Sequence, residues 1–335
     1  MIERYKKQEL FLGRDNQAKL HDAHVLVVGA GALGSSSAEM LARAGVGNLT
    51  IVDRDYVEWS NLQRQQLYTE SDASETLPKA VAAKMRLSQI NSEITIEAIV
   101  SDVNSQNIEE LVAGKSVIVD ATDNFETRLI VNDAAVKFGI PFVFGACVGS
   151  YGLSFTVQPG VTPCLHCLMD NLPTQGMTCD TVGVISPIVS VVASFQVTRV
   201  FQLLTGCEVP PVLNSFDIWR GESSKINIEK LKQSSCPTCG EAATFPYLSF
   251  ENSTKTDVLC GRDAVQLRPG GAKVPSLELL AQAVVGISDE VIANTYLLSF
   301  KYEGHRIVLF RDGRAIIHGT NDPVRARSIY NRIIS

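Results

Sequence analysis

An apolar run, Val25 to Val28, leads directly into Gly29-Ala30-Gly31-Ala32-Leu33-Gly34. Glycines spaced G-x-G-x-x-G behind a strand permit a tight turn, a close approach of backbone to phosphate, and close packing of the helix that comes next. That helix then points its first N–H groups at an anion. The combination demands a nucleotide-binding strand–helix–strand unit. Asp53 closes the next apolar run, where a carboxylate can hold ribose hydroxyls. At this point NAD and ATP both fit.

The alternation continues well past the loop. Apolar runs at 25–29, 48–52, 94–100, 116–120 and 141–147 read as strands, and 33–45, 78–91, 105–113 and 124–139 have helical spacing. This pattern predicts an α/β fold, a Rossmann-like, doubly wound and mostly parallel sheet with ligands beyond the carboxyl ends of its strands. After residue 150 the pattern changes to an antiparallel extension: "YGLSFTVQPG", a long helix over 187–205, and strands at 212–218 and 224–229. In that helix Ser186 is expected as N-cap and Pro187 as first residue. Its apolar stretch, Val184 to Leu204, carries Gln196, Arg199 and Gln202, a polar edge that a membrane span would seldom tolerate. A length of 335 residues allows about two domains. The division is expected at 1–245 and 246–335, the latter a small α+β module with a hairpin turn at "RDGR" and no recognisable catalytic constellation.

The segment after Asp53 separates the two nucleotides. Asn61, Gln63, Arg64, Gln65 and Gln66 form a dense polar cluster, and "LPKAVAAKM" brings Lys79 to the first turn of the next helix. A triphosphate needs several counter-charges, and Arg64 and Lys79 supply two of them. A dehydrogenase has little use for either near its nicotinamide. In "VIVDATDNFETR", Asp120 and Asp123 lie at and just beyond a strand end, where a carboxylate suits Mg²⁺. Asp120 reads as the structural member, and Asp123 as the Mg²⁺ ligand or the cap of the next helix. A formal net charge of −6 leaves no basic footprint for nucleic acid.

Four of the eight cysteines form two C-x-x-C pairs, Cys164/Cys167 and Cys236/Cys239. Two such pairs can converge on one tetrahedral Zn²⁺, whereas a redox role would need only one. The N-terminal "MIERYKKQEL" lacks the apolar core of a signal peptide, so a cytoplasmic protein with metal-bound thiols is expected. Cys147, Cys207 and Cys260 read as packing residues, and His166 as a solvent-facing neighbour of the metal ligands.

"GAGALG", "DRDYVEWSNLQRQ", "LPKAVAAK", "DATDNFETR" and the two C-x-x-C pairs together resemble the ThiF/MoeB/HesA family, bacterial relatives of ubiquitin-activating enzymes. The resemblance covers roughly residues 1–245. It implies ATP and Mg²⁺, adenylation of the C-terminal Gly-Gly carboxylate of a ubiquitin-like sulfur carrier, and release of pyrophosphate. It also implies that Gly29, Gly31 and Gly34 hold the nucleotide and that Asp53 binds the ribose. Asn61, Arg64 and Lys79 contact phosphates, Asp55 and Gln65 complete the nucleotide set, and Asp123 positions Mg²⁺. Arg64, Lys79 and Asp123 are the catalytic set. "GACVGSYGLS" and "LCGRDAVQLRP" resemble the longer ThiF-like proteins of Bacillus-type bacteria, which implies ThiS as carrier and thiazole formation as purpose. MoaD, in molybdopterin synthesis, is the alternative. A homodimer and a cysteine desulfurase as sulfur donor are the further partners implied. In ThiF-like members the cysteine matching Cys179 takes part in a covalent step with the activated carrier, so Cys179 is an accessory candidate. The family's "RYxRQ" places an arginine that reaches the partner subunit's ATP. Here "RYKKQ" puts Lys7 there, keeping charge but losing bidentate geometry. An NAD-dependent oxidoreductase would leave Arg64, Lys79 and the cysteine pairs without a reason. A non-catalytic scaffold would not need Asp53, Arg64, Lys79 and Asp123.

Overall fold

The computed structural model describes residues 3–169, 182–249, 256–259, 263–268, 276–284, 288 and 290–334. The chain forms two compact units, Met1–Asn252 and Ser253–Ser335. The first carries strands β1 His24–Val28, β2 Asn48–Asp53, β3 Thr95–Val100, β4 Val117–Asp120, β5 Phe142–Val148, β6 Tyr151–Val157, β7 Val212–Asp217 and β8 Glu222–Asn227. Its helices are α1 Lys6–Leu12, α2 Arg14–Asp22, α3 Ala32–Ala44, α4 Glu70–Ser74, α5 Lys79–Ile90, α6 Ile108–Val112, α7 Phe125–Lys137, α8 Leu165–Leu168 and α9 Ser186–Thr205. The sheet runs β3-β2-β1-β4-β5-β6-β7-β8. Pairings from β3 to β5 are parallel, and those from β5 to β8 antiparallel.

The central strands are apolar at nearly every position because both of their faces are covered. Val25, Val27, Leu49, Ile51, Val117 and Val119 pack with Leu41 of α3 and Ala80 and Leu87 of α5. Leu26, Val28, Ile118 and Phe142 pack on the other face with Leu111 of α6 and Ile130 and Ala134 of α7. This sandwich brings the carboxyl ends of β1, β2 and β4 together at the point where strand order reverses, which is the binding crevice of such folds.

Two glycines make the first turn possible. Gly29 has φ of 94°, and a Cβ there would collide with the carbonyl of Ala121. A Cβ on Gly34 would overlap the carbonyl oxygen of Gly29, so α3 packs against the loop with no room for a methyl group. Gly34→Ala is therefore expected to lower folding stability by about 1–3 kcal/mol, the usual cost of forcing a methyl group into a packed site. A urea denaturation midpoint equal to that of the parent protein would contradict the close approach.

Helix α9 is the one described helix long and apolar enough to cross a membrane. It packs one face on the fold instead, with Ile188, Val189, Val192, Ala193, Val197 and Val200 buried and Ser190, Ser194 and Thr198 exposed. Gln196 is not part of a solvent-facing edge. It is fully buried, and its Nε2 donates to the carbonyls of Asp120 and Val143, pinning the helix across β4 and β5. Its N-cap is Ile185 rather than Ser186, which is already the first helical residue ahead of Pro187. The helix expected at 105–113 is only Ile108–Val112. Asn104 and Asn107 hold the preceding residues in side-chain-bonded turns, with the Asn104 N–H donating to Asn107 Oδ1 at 2.9 Å.

The second unit is a six-stranded antiparallel sheet of β9 Thr256–Leu259, β10 Ala264–Leu267, β11 Val291–Ala293, β12 Leu297–Tyr302, β13 His305–Phe310 and β14 Ala315–His318. Their order is β11-β12-β13-β14-β10-β9. Val265, Leu298, Phe300, Ile307, Leu309 and Ile317 pack against Leu280, Ala326 and Ile329 of the helices Leu277–Val284 and Pro323–Ile334. The "RDGR" turn forms between β13 and β14, with Gly313 at φ of 85°.

Candidate nucleotide and metal sites

Asp53 ends β2 and turns its carboxylate toward the glycine loop. Its Oδ2 accepts the N–H of Ala30, and its Oδ1 that of Asp55, both at 2.6 Å. Burial pushes its pKa up. Lys79 opposes that shift and Asp55 adds to it. Lys79 is the first residue of α5, only 2% exposed, with Nζ 3.3 Å from Asp55 Oδ2. Its own N–H donates to the Asp55 carbonyl at 2.9 Å. The half-buried Asp53 thus stands beside the buried pair of Asp55 and Lys79, whose ammonium contacts Asp55 and whose charge also acts on Asp53.

The turn after β2 brings in the polar cluster. Asn61 is buried and accepts the Glu58 N–H with its Oδ1, within a reciprocal capping arrangement. That bond fixes the turn from which Arg64 and Gln65 project. Gln65 is buried, its amide is the first group a Cβ on Gly31 would face, and its Oε1 has no hydrogen-bond partner among the described residues. Arg64 is half-buried and donates to the Ser60 carbonyl at 2.9 Å. The two expected cations therefore differ in setting: Lys79 is held by Asp55, and Arg64 is half-buried and bonded within its own turn.

Asp120 and Asp123 divide as their positions imply. Asp120 is buried, with Oδ2 3.1 Å from Arg128 Nε and Oδ1 accepting from the Thr122 N–H and hydroxyl. Burial raises its pKa and the Arg128 charge opposes the rise. Arg128 also donates to the carbonyls of Thr122 and Gly145, so this pair braces the loop after β4. Asp123 is exposed on that loop. It is not the helix cap: Asn124 caps α7, accepting the Thr127 N–H at 2.8 Å. Arg128, the last letter of "DATDNFETR", is a site residue that local spacing did not single out, because its bracing role depends on partners at two strand ends.

The four paired cysteines converge. Their sulfurs all lie within 4.8 Å of one another, with Cys164–Cys236 at 3.7 Å and Cys167–Cys239 at 3.4 Å. Four sulfurs at about 2.3 Å from a tetrahedral zinc would stand about 3.8 Å apart, so the set fits that ion. All four are free thiols. The N–H groups of Thr238 and Cys239 point at Cys236 Sγ, as in a metal knuckle. Helix α7 holds both halves: Asn132 Oδ1 accepts the Leu165 N–H, and Asp133 accepts from the Thr238 hydroxyl and the Tyr247 N–H. His166 is half-buried beside the Tyr247 ring rather than solvent-facing, and it is outside the cluster. Cys147 is half-buried and packs against the cluster of Leu33, Ile188 and Val192, as expected of a packing residue, whereas Cys207 is exposed. Cys179 and Cys260 lie outside the described residues. Lys7 is exposed on α1, near Leu10 and Phe11, which are 77% and 90% exposed.

Comparison with known proteins bears on the whole chain. The ThiF family model matches residues 5–238. The sulfur carrier protein ThiS adenylyltransferase of Bacillus subtilis is 59% identical over 336 residues, covering 100% of both chains. The ThiS adenylyltransferase of Escherichia coli is 36% identical over 248 residues, 72% of this chain and 97% of its own length. A solved structure of Escherichia coli MccB with ATP superposes with a TM-score of 0.62 at 22% identity, covering 71% of this chain and 75% of that one, and shares the fold.

Proposed function

The chain belongs to the ThiF family, and from that premise we propose that it adenylates the C-terminal Gly-Gly carboxylate of the sulfur carrier ThiS for thiazole formation in thiamine biosynthesis. The observation that carries this reading is the 59% identity to a ThiS adenylyltransferase along the entire length of both chains. The reaction joins a carboxylate oxygen of the carrier to the α-phosphorus of ATP and breaks the bond to the β-phosphate, releasing pyrophosphate. Two anions must meet, so alignment and charge neutralisation matter more than proton transfer.

This chain's residues suit that task. Gly29, Gly31 and Gly34 receive the phosphates at the N-terminus of α3, and Asp53 receives the ribose hydroxyls. Gln65 offers an unpaired buried acceptor beside Gly31. Lys79 neutralises phosphate charge from a position fixed by Asp55, and Arg64 does so from the turn that Asn61 holds. Asp123 would hold Mg²⁺, which supplies charge neutralisation at the reacting phosphates when bound. Asp120 and Arg128 keep its loop in place. The four cysteines would hold a structural Zn²⁺ that fastens α8 to the 236–240 turn.

Three further assignments belong to this reading. The chain acts as a homodimer in which Lys7 approaches the partner's nucleotide. Cys179 serves sulfur transfer after adenylation, with a cysteine desulfurase as donor. The cytoplasm is its place of action, consistent with thiols kept reduced for metal binding. Adenylation is assigned to the first unit, since the E. coli relative aligns over 72% of this chain with 97% of its own length. The second unit is then an accessory. Exchange of labelled pyrophosphate into ATP, dependent on added ThiS, tests the proposal.

A further inference from the structure

Tyr68 lies between the Asn61 turn and α4, 7% exposed, with its ring in the core that α3 and α5 share. Its hydroxyl reaches the Ala30 carbonyl at 2.6 Å and the Lys79 carbonyl at 3.2 Å. It therefore touches both elements that the nucleotide reading assigns to phosphate: the middle of the glycine loop and the first residue of α5. We propose that Tyr68 is a positioning residue of the nucleotide site, whose hydroxyl sets the orientation of the Ala30–Gly31 peptide and ties it to the helix start that carries Lys79.

Both backbone groups of Ala30 are held, its N–H by Asp53 and its carbonyl by Tyr68. In a planar trans peptide the Ala30 carbonyl and the Gly31 N–H point in opposite directions. Drawing that carbonyl into the core turns the Gly31 N–H outward, to the mouth of the loop where α3 begins. The Gly31 N–H has no hydrogen-bond partner among the described residues, which leaves it available to an anion, as do the first N–H groups of any helix. Gly31 has no side chain to guide its conformation, so the peptide plane depends on such a pin. A phenol does this better than a charged side chain here. Burial, followed by the Asp53 charge, holds its pKa well above the ordinary range, so it stays a donor at every working pH. The hydroxyl has one proton, and the nearer Ala30 oxygen takes most of it. The inference rests on the ATP reading of this crevice.

Tyr68→Phe keeps the ring and removes only the hydroxyl. In the full-length chain it is expected to raise the KM for ATP about 3- to 10-fold, the range for one lost buried hydrogen bond. The KM for ThiS is expected to stay unchanged. Equilibrium binding of ATP without carrier should weaken by the same factor. Tyr5→Phe is the control: Tyr5 is also buried and bonded, to Asn91 Nδ2 at 2.8 Å, but packs on Gly45 at the opposite end of α3. It should leave ATP affinity alone. Unchanged ATP affinity in Tyr68→Phe, or an equal loss in Tyr5→Phe, would overturn the proposal. So would KM values for ATP and ThiS that rise together with a fall in melting temperature. Absence of ThiS-dependent exchange in the unsubstituted protein would instead defeat the adenylation reading, and ATP binding would still report on Tyr68.

Discussion

Asp123→Ala is expected to lower ThiS-dependent ATP–pyrophosphate exchange by about 10³-fold, while the variant melts within about 2 °C of the parent. The two halves of this expectation have separate causes. The carboxylate stands exposed on the loop after β4, and on the proposed reading this is where charge accumulates as carboxylate and triphosphate meet. Removing one preorganised charge-stabilising group from such a site commonly costs about 10²–10³ in rate, and here it would also remove a Mg²⁺ ligand. Folding should survive, because the helix cap is Asn124 and the loop is braced by Asp120 and Arg128. Among the bonds of Asp123, the one its Oδ1 accepts from Asn124 Nδ2 is long, at 3.5 Å, and its loss should cost little. An exchange rate within tenfold of the parent would remove Asp123 from the catalytic set. A collapse of melting temperature would reassign it to structure.

Cys236→Ser should release about one zinc per chain and lower the melting temperature by roughly 10 °C. Cys236 is 2% exposed and receives two N–H groups from its own turn. Its loss opens a four-ligand site whose other three sulfurs cannot close a tetrahedron. The effect should spread, because Asn132 and Asp133 of α7 each bind one of the two knuckles. The same helix begins just after Asp123, so a loosened metal site would slacken the far end of the loop after β4. Elemental analysis of parent and variant, with a thermal melt of each, decides the matter. A parent that contains no zinc, or a variant that keeps it, would contradict the metal assignment.

Much of the first unit was legible from local pattern. The glycine loop, the strand ends at Asp53 and Asp120 and the cysteine knuckles depend on residues close in sequence, and spacing reveals them. The parts that stayed hidden depend on pairs far apart in the chain. Tyr68 reaches Ala30 across 38 residues, Gln196 reaches Asp120 across 76, and Asp133 reaches Thr238 across 105. No periodicity announces such contacts. Gln196 is a case in point: on an apolar helix it read only as part of a polar edge, and it is a buried peg between two strands. The same limit applies to Lys79, whose position was evident but whose lock by Asp55 was not. For the second unit the hairpin and helices could be read, since they too are local, whereas its sheet order of β11-β12-β13-β14-β10-β9 could not.

The central claim is that this chain transfers adenylate from ATP to ThiS, and carrier-dependent ATP–pyrophosphate exchange measures that step directly. Purified full-length protein with ATP, Mg²⁺ and ThiS should exchange label into ATP, and omission of ThiS should abolish the signal. MoaD in place of ThiS should support at most a small fraction of the rate. Exchange supported by MoaD in preference to ThiS would move the protein to molybdopterin synthesis. Exchange with neither carrier would contradict the account.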